Sequence, residues 1–155
     1  PSIQEMTAEK YEFEGSDSED YFEFISHGPK GEITKAVQFT LIDEDAKLYN
    51  LGMGDLDPLT GNVLDDVTTD NKDTEKILNT VGEIARQFID KKPNCSILIE
   101  GNSNSRNRLY RIGINKNLDI IAKKYRVIGL EEQNLKWERF IKNTNYLAFI
   151  ISKRS

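Results

Sequence analysis

The sequence predicts an α+β fold, with a curved mixed sheet of about six to seven strands and two main helices. Alternating apolar and polar residues predict strands in the first half of the chain, most clearly from Glu32 to Asp43. Apolar residues at helical spacing follow between Asp73 and Asp90. The remaining order is strand, helix, strand, strand, which favours parallel pairing around the first helix.

Four strands are expected before that helix. Residues 11–13 and 21–26 are predicted as short strands, and the glycines and proline of residues 28–31 predict the turn into the strand from Glu32. Residues 47–53 are expected to return as a hairpin. A loop of residues 54–72 follows, with a short strand at 62–67 as one option. Loops of this length inside compact domains are often functional.

The first helix is expected over Asp73–Asp90, capped by Asp70, Asn71 or Asp73 and ended by Pro93. Its apolar stripe consists of Ile77, Leu78, Val81, Ile84, Ala85, Phe88 and Ile89.

A core strand is expected at Ser96–Glu100, and a second helix from about Ser105 to Lys124. Gly113, Asn115 and Asn117 predict a break in that helix, and a strand at 109–114 is the alternative. Strands are expected at 126–130 and 146–152. A helical turn or short helix is expected at 135–140, where Trp137 and Phe140 cover the sheet edge or, as the alternative, form an exposed aromatic patch for a partner.

Length and composition predict a single domain over residues 1–155. Cys95 is the only cysteine, which excludes an internal disulfide and a thiolate metal cluster. No apolar run approaches the roughly 18 residues that span a membrane, so we expect a cytoplasmic protein without membrane contact.

The net charge of −5 argues against a general nucleic-acid binder. Residues 106–126 are nevertheless basic, and we interpret them mainly as solvated helix faces, with a polarised surface as the alternative. Their charged members are Arg106, Arg108, Arg111, Lys116, Lys123, Lys124 and Arg126, against Asp119 alone.

From Glu32 onward the element order resembles the GCN5-related acyltransferase fold, in which a hairpin precedes a helix, a strand, a second helix and two closing strands. Residues 102–113 are similar to that family's signature N-x-x-A-x-x-L-Y-x-x-x-G-F. The resemblance implies that Tyr110 is the general acid toward the leaving thiolate. Ser103, Arg106 and Gly113 depart from the signature.

The acyltransferase turn that binds the pyrophosphate of coenzyme A has no counterpart here. It requires glycines just before the first helix, so that backbone N–H groups can approach phosphates. Residues 69–75 contain no glycine, and Asp70, Asp73 and Glu75 would repel an anion. We therefore expect no coenzyme A binding of the usual kind, and no cofactor.

A closer resemblance is to an uncharacterised bacterial family, chiefly from Bacteroidetes. It is carried by residues 49–55 (YNLGMGD), the helix start at 71–81, and residues 106–110 (RNRLY). This resemblance implies a bacterial origin but no activity.

The candidate site residues surround the turn after the strand at 96–100. Tyr110 is the candidate acid, and the candidate base is Glu100 or an acid of the 55–66 loop. Polar residues near them suit an anionic ligand. The alternative is structural: Glu100 forms an ion pair with Arg106 or Arg108 that fixes the turn, and the arginines pair with the acidic half of the chain. The ligand-binding candidates are Asn102, Ser103, Arg106, Arg108 and Arg111.

Other candidates carry less chemistry. Asp55 and Asp57 begin like a calcium loop, but no third alternating ligand follows, so no metal is expected. His27, the only histidine, is interpreted as an incidental loop residue.

Three functions compete on this basis. The first is a non-catalytic acyltransferase-like module that binds a protein partner or a small ligand, at residues 101–111 beside the acidic 54–72 loop. The second is a divergent acyl-CoA-dependent N-acyltransferase. The third is a nucleic-acid-associated protein that uses residues 106–126.

Overall fold

The structure is a computed structural model that describes residues 9–64, 70–100 and 104–154. These residues form two helices and a mixed sheet of nine strands, which confirms the predicted α+β class. The strands are β1 (Phe13–Gly15), β2 (Tyr21–Gly28), β3 (Gly31–Asp43), β4 (Leu48–Leu56), β5 (Val63–Leu64), β6 (Ser96–Ile99), β7 (Tyr125–Glu131), β8 (Trp137–Arg139) and β9 (Tyr146–Lys153). The helices are α1 (Thr74–Lys91) and α2 (Asn104–Lys124). Within the described ranges, neither helix has an apolar stretch long enough to cross a membrane.

The chain divides into two compact units, and β3, β4 and α1 each run from one unit into the other. The first unit comprises Pro1–Phe39 and Gly52–Phe88. In it, β1, β2 and β3 form an antiparallel meander, and the end of β4 pairs with β5. The β2–β3 turn is tight, because Gly28 pairs directly with Gly31.

The core of the first unit is aromatic. Phe39 stacks on Phe88 with ring centroids 4.0 Å apart, and Phe22 meets Phe39 edge to face. The predicted apolar stripe forms the buried side of α1, where Ile84 and Phe88 are almost fully buried and Leu78 is half-buried. The helical spacing of these apolar residues therefore predicted the buried side of α1 correctly.

The second unit comprises Thr40–Leu51 and Ile89–Ser155. There β4 pairs in parallel with β6, from Leu48↔Ser96 to Leu51↔Ile99. β9 lies antiparallel between β6 and β7, and β8 pairs with β7. Helix α2 packs on β7 and β9. The predicted parallel pairing around the first helix is confirmed, because the chain between β4 and β6 passes through α1.

Three expectations about elements were wrong. The sheet has more than six to seven strands, partly because residues 137–139 form β8 instead of a short helix. Leu135 has a positive φ of 55°, which is incompatible with a continuous right-handed helix. In addition, the residues just before and just after β8, Lys136 and Phe140, form backbone hydrogen bonds with β7. Helix α2 is unbroken, so both the break near Gly113 and the alternative strand at 109–114 are excluded.

Candidate functional site

A cluster of hydrogen-bonded polar side chains in the first unit lies at the start of α1. It combines the segment before the helix, the end of β2 and the chain that leads into β1. The sequence predicted Asn71 and Asp73 as alternative helix caps and Asp73 as a charge that repels anions. In the structure both side chains also form hydrogen bonds with residues forty or more positions away along the chain.

Asn71 is buried, with 1% of its surface exposed, and it joins the helix start to the β2–β3 turn. Its side-chain amide donates to the carbonyl of Gly31 at 2.9 Å and to Ser26 Oγ at 3.1 Å, and its Oδ1 accepts from Lys30 N–H at 2.8 Å. A Cβ atom on Gly28 would lie 2.0 Å from the Asn71 carbonyl oxygen, so this close approach requires glycine.

Asp73 directly precedes α1, at the N-cap position. Its Oδ2 accepts from the hydroxyl of Tyr11 at 2.6 Å and from that of Ser26 at 2.5 Å. Its Oδ1 is buried and has no hydrogen-bond partner among the described residues. The positive end of the helix dipole therefore already faces a carboxylate that belongs to this chain.

Tyr11 completes the cluster. Its ring stacks on Phe24 at 5.8 Å, its N–H donates to Thr80 Oγ1, and its hydroxyl accepts from the N–H of His27 at 3.0 Å. Burial raises the pKa of the Tyr11 phenol, and the hydrogen bond to Asp73 raises it further. Tyr11 therefore stays neutral and donates to Asp73 over the physiological range.

An open cleft of about 360 Å³ lies beside this cluster. Lys76 places its ammonium 4.3 Å from the centroid of the Tyr11 ring, a cation–π contact. His27 is exposed there, and its Nδ1 lies 3.8 Å from the Glu32 carboxylate. Because both charge signs are present, the cleft suits a ligand or protein surface that also carries both. The lining residues are Glu9, Tyr11, His27, Lys72, Asp73, Thr74, Glu75 and Lys76.

The two aspartates considered for metal binding have different roles. Asp55 is buried and forms an ion pair with buried Lys35, with Nζ and Oδ1 2.5 Å apart. Asp57 lies beyond the end of β4 and closes an exposed turn by accepting from Leu59 N–H and the Thr60 hydroxyl, and these bonds lower its pKa. Within the described ranges, no group of three or more histidine, cysteine or acidic residues is arranged to hold a metal.

The predicted site after β6 is only partly described. Glu100 is exposed and directly follows the strand, while Tyr110 is 7% exposed. Arg108 is exposed, and Arg111 donates to Asn145 Oδ1 at 2.7 Å. Asn102, Ser103 and the side chain of Arg106 lie outside the described residues, as does the 65–67 part of the optional strand.

Comparison with family models identifies the chain, since a model for a family of unknown function, DUF6934, matches residues 7–154. The chain belongs to this family. Nothing among the curated proteins or the solved structures matches it significantly. The predicted membership of an uncharacterised family is therefore confirmed at this level.

In this DUF6934 member, the sequence did not reveal that Tyr11 and Ser26 bind Asp73. It also did not reveal that Asn71 connects the start of α1 to the β2–β3 turn. A partial signal existed, because the turn from Gly28 to Gly31 was recognised and such glycines often allow close backbone approach. The partner of that approach lies about forty residues later in the chain. No local pattern connects Gly28 with Asn71.

Proposed function

We propose that this chain is a non-catalytic, acyltransferase-like domain that binds a protein partner or a small ligand. The observation that carries the proposal is the carboxylate at the start of α1. Asp73 occupies the position at which a phosphate group would approach the helix, and Tyr11 and Ser26 hold it there.

Binding of coenzyme A at this position would be unfavourable for two physical reasons. A pyrophosphate would have to displace Asp73 from its two hydroxyl donors and would meet the further negative charges of Asp70 and Glu75. It would also need close approach to backbone amides, whereas buried Asn71 fills the space against the β2–β3 turn.

Two surfaces support the binding role. One is the cleft beside Tyr11 and Asp73, whose lining includes two lysines and two glutamates, Lys72, Lys76, Glu9 and Glu75. The other is the predicted anion site at residues 101–111, of which Arg108 is exposed. A ligand with both an anionic and a cationic group suits the cleft, and a phosphate or carboxylate suits the second surface.

The competing function is a divergent acyltransferase with Tyr110 as acid and Glu100 or an acid of the 55–66 loop as base. Two measurements with acetyl-coenzyme A separate it from the proposal. We expect no rise in melting temperature at about 1 mM acetyl-coenzyme A, and no release of free thiol in the presence of amine acceptors. A melting shift of several degrees, or thiol release that Tyr110→Phe abolishes, would overturn the proposal.

A nucleic-acid function has one observation in its favour. Arg108, Lys116 and Lys123 are exposed and lie eight and seven residues apart on α2, which is about two turns per interval and therefore one face. This function predicts salt-sensitive retention on heparin that Arg108→Ala reduces. Flow-through of the wild-type chain at low salt would exclude it.

A further inference from the structure

The outer edge of β8 leaves the backbone N–H and C=O of Trp137 and the N–H of Arg139 unpaired within the described part of the chain. On the side that faces β7, the Lys136 carbonyl accepts from Glu131 N–H at 2.9 Å, and Phe140 N–H donates to the Val127 carbonyl at 3.0 Å. Glu138, between them, is paired with Gly129. Backbone groups alternate in direction along an antiparallel strand, so those of Trp137 and Arg139 point away from β7. The Arg139 carbonyl also has a long contact, 3.5 Å, with the Tyr146 hydroxyl.

Exposed apolar side chains concentrate at the same edge. Leu135, Trp137 and Ile141 are 63%, 43% and 57% exposed, and they are three of the eight large hydrophobic residues that the described chain exposes. Of the two predictions for Trp137, this exposure favours an exposed aromatic residue over one that covers the sheet edge. Exposed Arg139 lies two residues after Trp137 and shares its face of the strand.

This edge is complementary to a second copy of itself. With two β8 strands antiparallel about Glu138, Trp137 of each copy lies opposite Arg139 of the other. Their outward N–H and C=O groups then form two hydrogen-bonded pairs, and each guanidinium lies against an indole.

The opposite face of the strand is balanced in the same arrangement. Glu138 of one copy lies opposite Glu138 of the other, which alone would be repulsive. Lys136 of each copy is the diagonal neighbour of the other copy's Glu138, so two cations alternate with two anions. Each Glu138 carboxylate also accepts from its own Tyr146 hydroxyl at 2.8 Å.

We propose that the β8 edge is a self-association surface, on which a second copy of this chain adds its own β8 in antiparallel orientation. An unrelated acidic peptide would match Arg139 and Lys136 but would oppose Glu138. A second copy matches both signs, and two-fold dimers are the commonest homo-oligomers. Because β8 has only three residues, the dimer is weak, with a Kd on the order of 10–100 μM.

Sedimentation velocity of the full chain over about 5–500 μM tests this dimer. We expect the sedimentation coefficient to rise with concentration from the monomer to the dimer value. Trp137 is the only tryptophan, so its emission should shift to the blue over the same concentration range. A monomer throughout, or a dimer without any Trp137 shift, overturns the proposal.

Arg139→Pro is the decisive variant, because it removes the outward N–H and the guanidinium but no hydrogen bond to β7. We expect dimerisation at least about tenfold weaker, equivalent to about 1.4 kcal/mol. Arg126→Ala is the matched control, since it removes an exposed arginine from β7 and should leave the Kd unchanged.

Unchanged dimerisation of Arg139→Pro, or equal weakening by Arg126→Ala, contradicts the proposed surface. Circular dichroism and a melting curve establish whether Arg139→Pro is folded. If it is not, Arg139→Glu decides in its place, because it keeps the backbone donor and puts a carboxylate opposite the indole of the second copy. It should also weaken the dimer at least tenfold, and an unchanged Kd would again contradict the surface.

Discussion

The two units of the chain differ in what they bury. All five buried polar or charged residues among those described belong to the first unit, namely Ser26, Lys35, Asp55, Asn71 and Thr80. The buried interior of the second unit consists of aliphatic and aromatic residues such as Leu51, Ile97, Val127 and Phe149. The first unit thus buries whole polar and charged residues. The described buried residues of the second unit are apolar apart from hydroxyl groups such as that of Tyr146, which donates to Glu138.

The difference teaches where to look for specific chemistry. Apolar packing tolerates changes of side chain that conserve volume, because it is largely non-directional. Buried hydrogen bonds and ion pairs do not, because an unpaired partner keeps its desolvation cost. The cleft beside Tyr11 and Asp73 belongs to the unit with buried polar residues. Directional hydrogen bonds therefore fix the positions of the side chains beside this cleft.

The largest expected effect comes from the buried Lys35–Asp55 pair. Lys35→Met leaves Asp55 as a buried charge without its cation and should lower the free energy of unfolding by about 3–5 kcal/mol. Urea denaturation measures this loss. The double variant Lys35→Met/Asp55→Leu removes both charges and should recover much of it. A loss below about 1 kcal/mol in the single variant would contradict the importance of the pair.

The same titration tests whether residues 1–155 form one domain. Lys35 lies in the first unit and Trp137 in the second, and β3, β4 and α1 continue through both. One domain predicts that Lys35→Met shifts the urea midpoint seen by Trp137 fluorescence as much as that seen by circular dichroism. An unshifted Trp137 transition would mean that the units unfold separately.

A pair of side-chain changes that nearly conserve shape sharpens the contrast between the units. Asn71→Leu in the first unit leaves Lys30 N–H and the Gly31 carbonyl without their partner, and should cost about 2–3 kcal/mol. Ile97→Val in the second unit removes one buried methylene group and should cost about 1 kcal/mol. Equal losses in urea denaturation would remove the distinction between polar and apolar interiors.

The smallest effect concerns stability at high pH. Burial, followed by the hydrogen bond to Glu23, raises the pKa of Tyr21 to about 12. The unfolded value is about 10, so this contribution is complete below pH 10 and is lost as pH rises toward 12. Tyr21→Phe should flatten the fall in melting temperature over that window. If the melting temperature of the variant falls equally steeply, groups other than Tyr21 cause the loss of stability.

Local patterns predicted most elements but few of the contacts at the candidate site. The α1 stripe and the extent of β3 were predicted correctly because helix and strand periods appear directly in neighbouring residues. Residues 135–140 were wrong because a short segment takes its conformation from its neighbours, here β7. The residues expected around Glu100 and Tyr110 remain a prediction.

The sequence by itself determined the α+β class, the two helices and the lack of a glycine-rich phosphate turn, because these depend on residue spacing and local chemistry. Only the tertiary structure decided what replaces that turn. It brings Tyr11 and Ser26 to Asp73, and Gly28 to Asn71, across separations of 43 to 62 residues. Such contacts form when chain segments pack together, and no local period encodes which polar groups then meet.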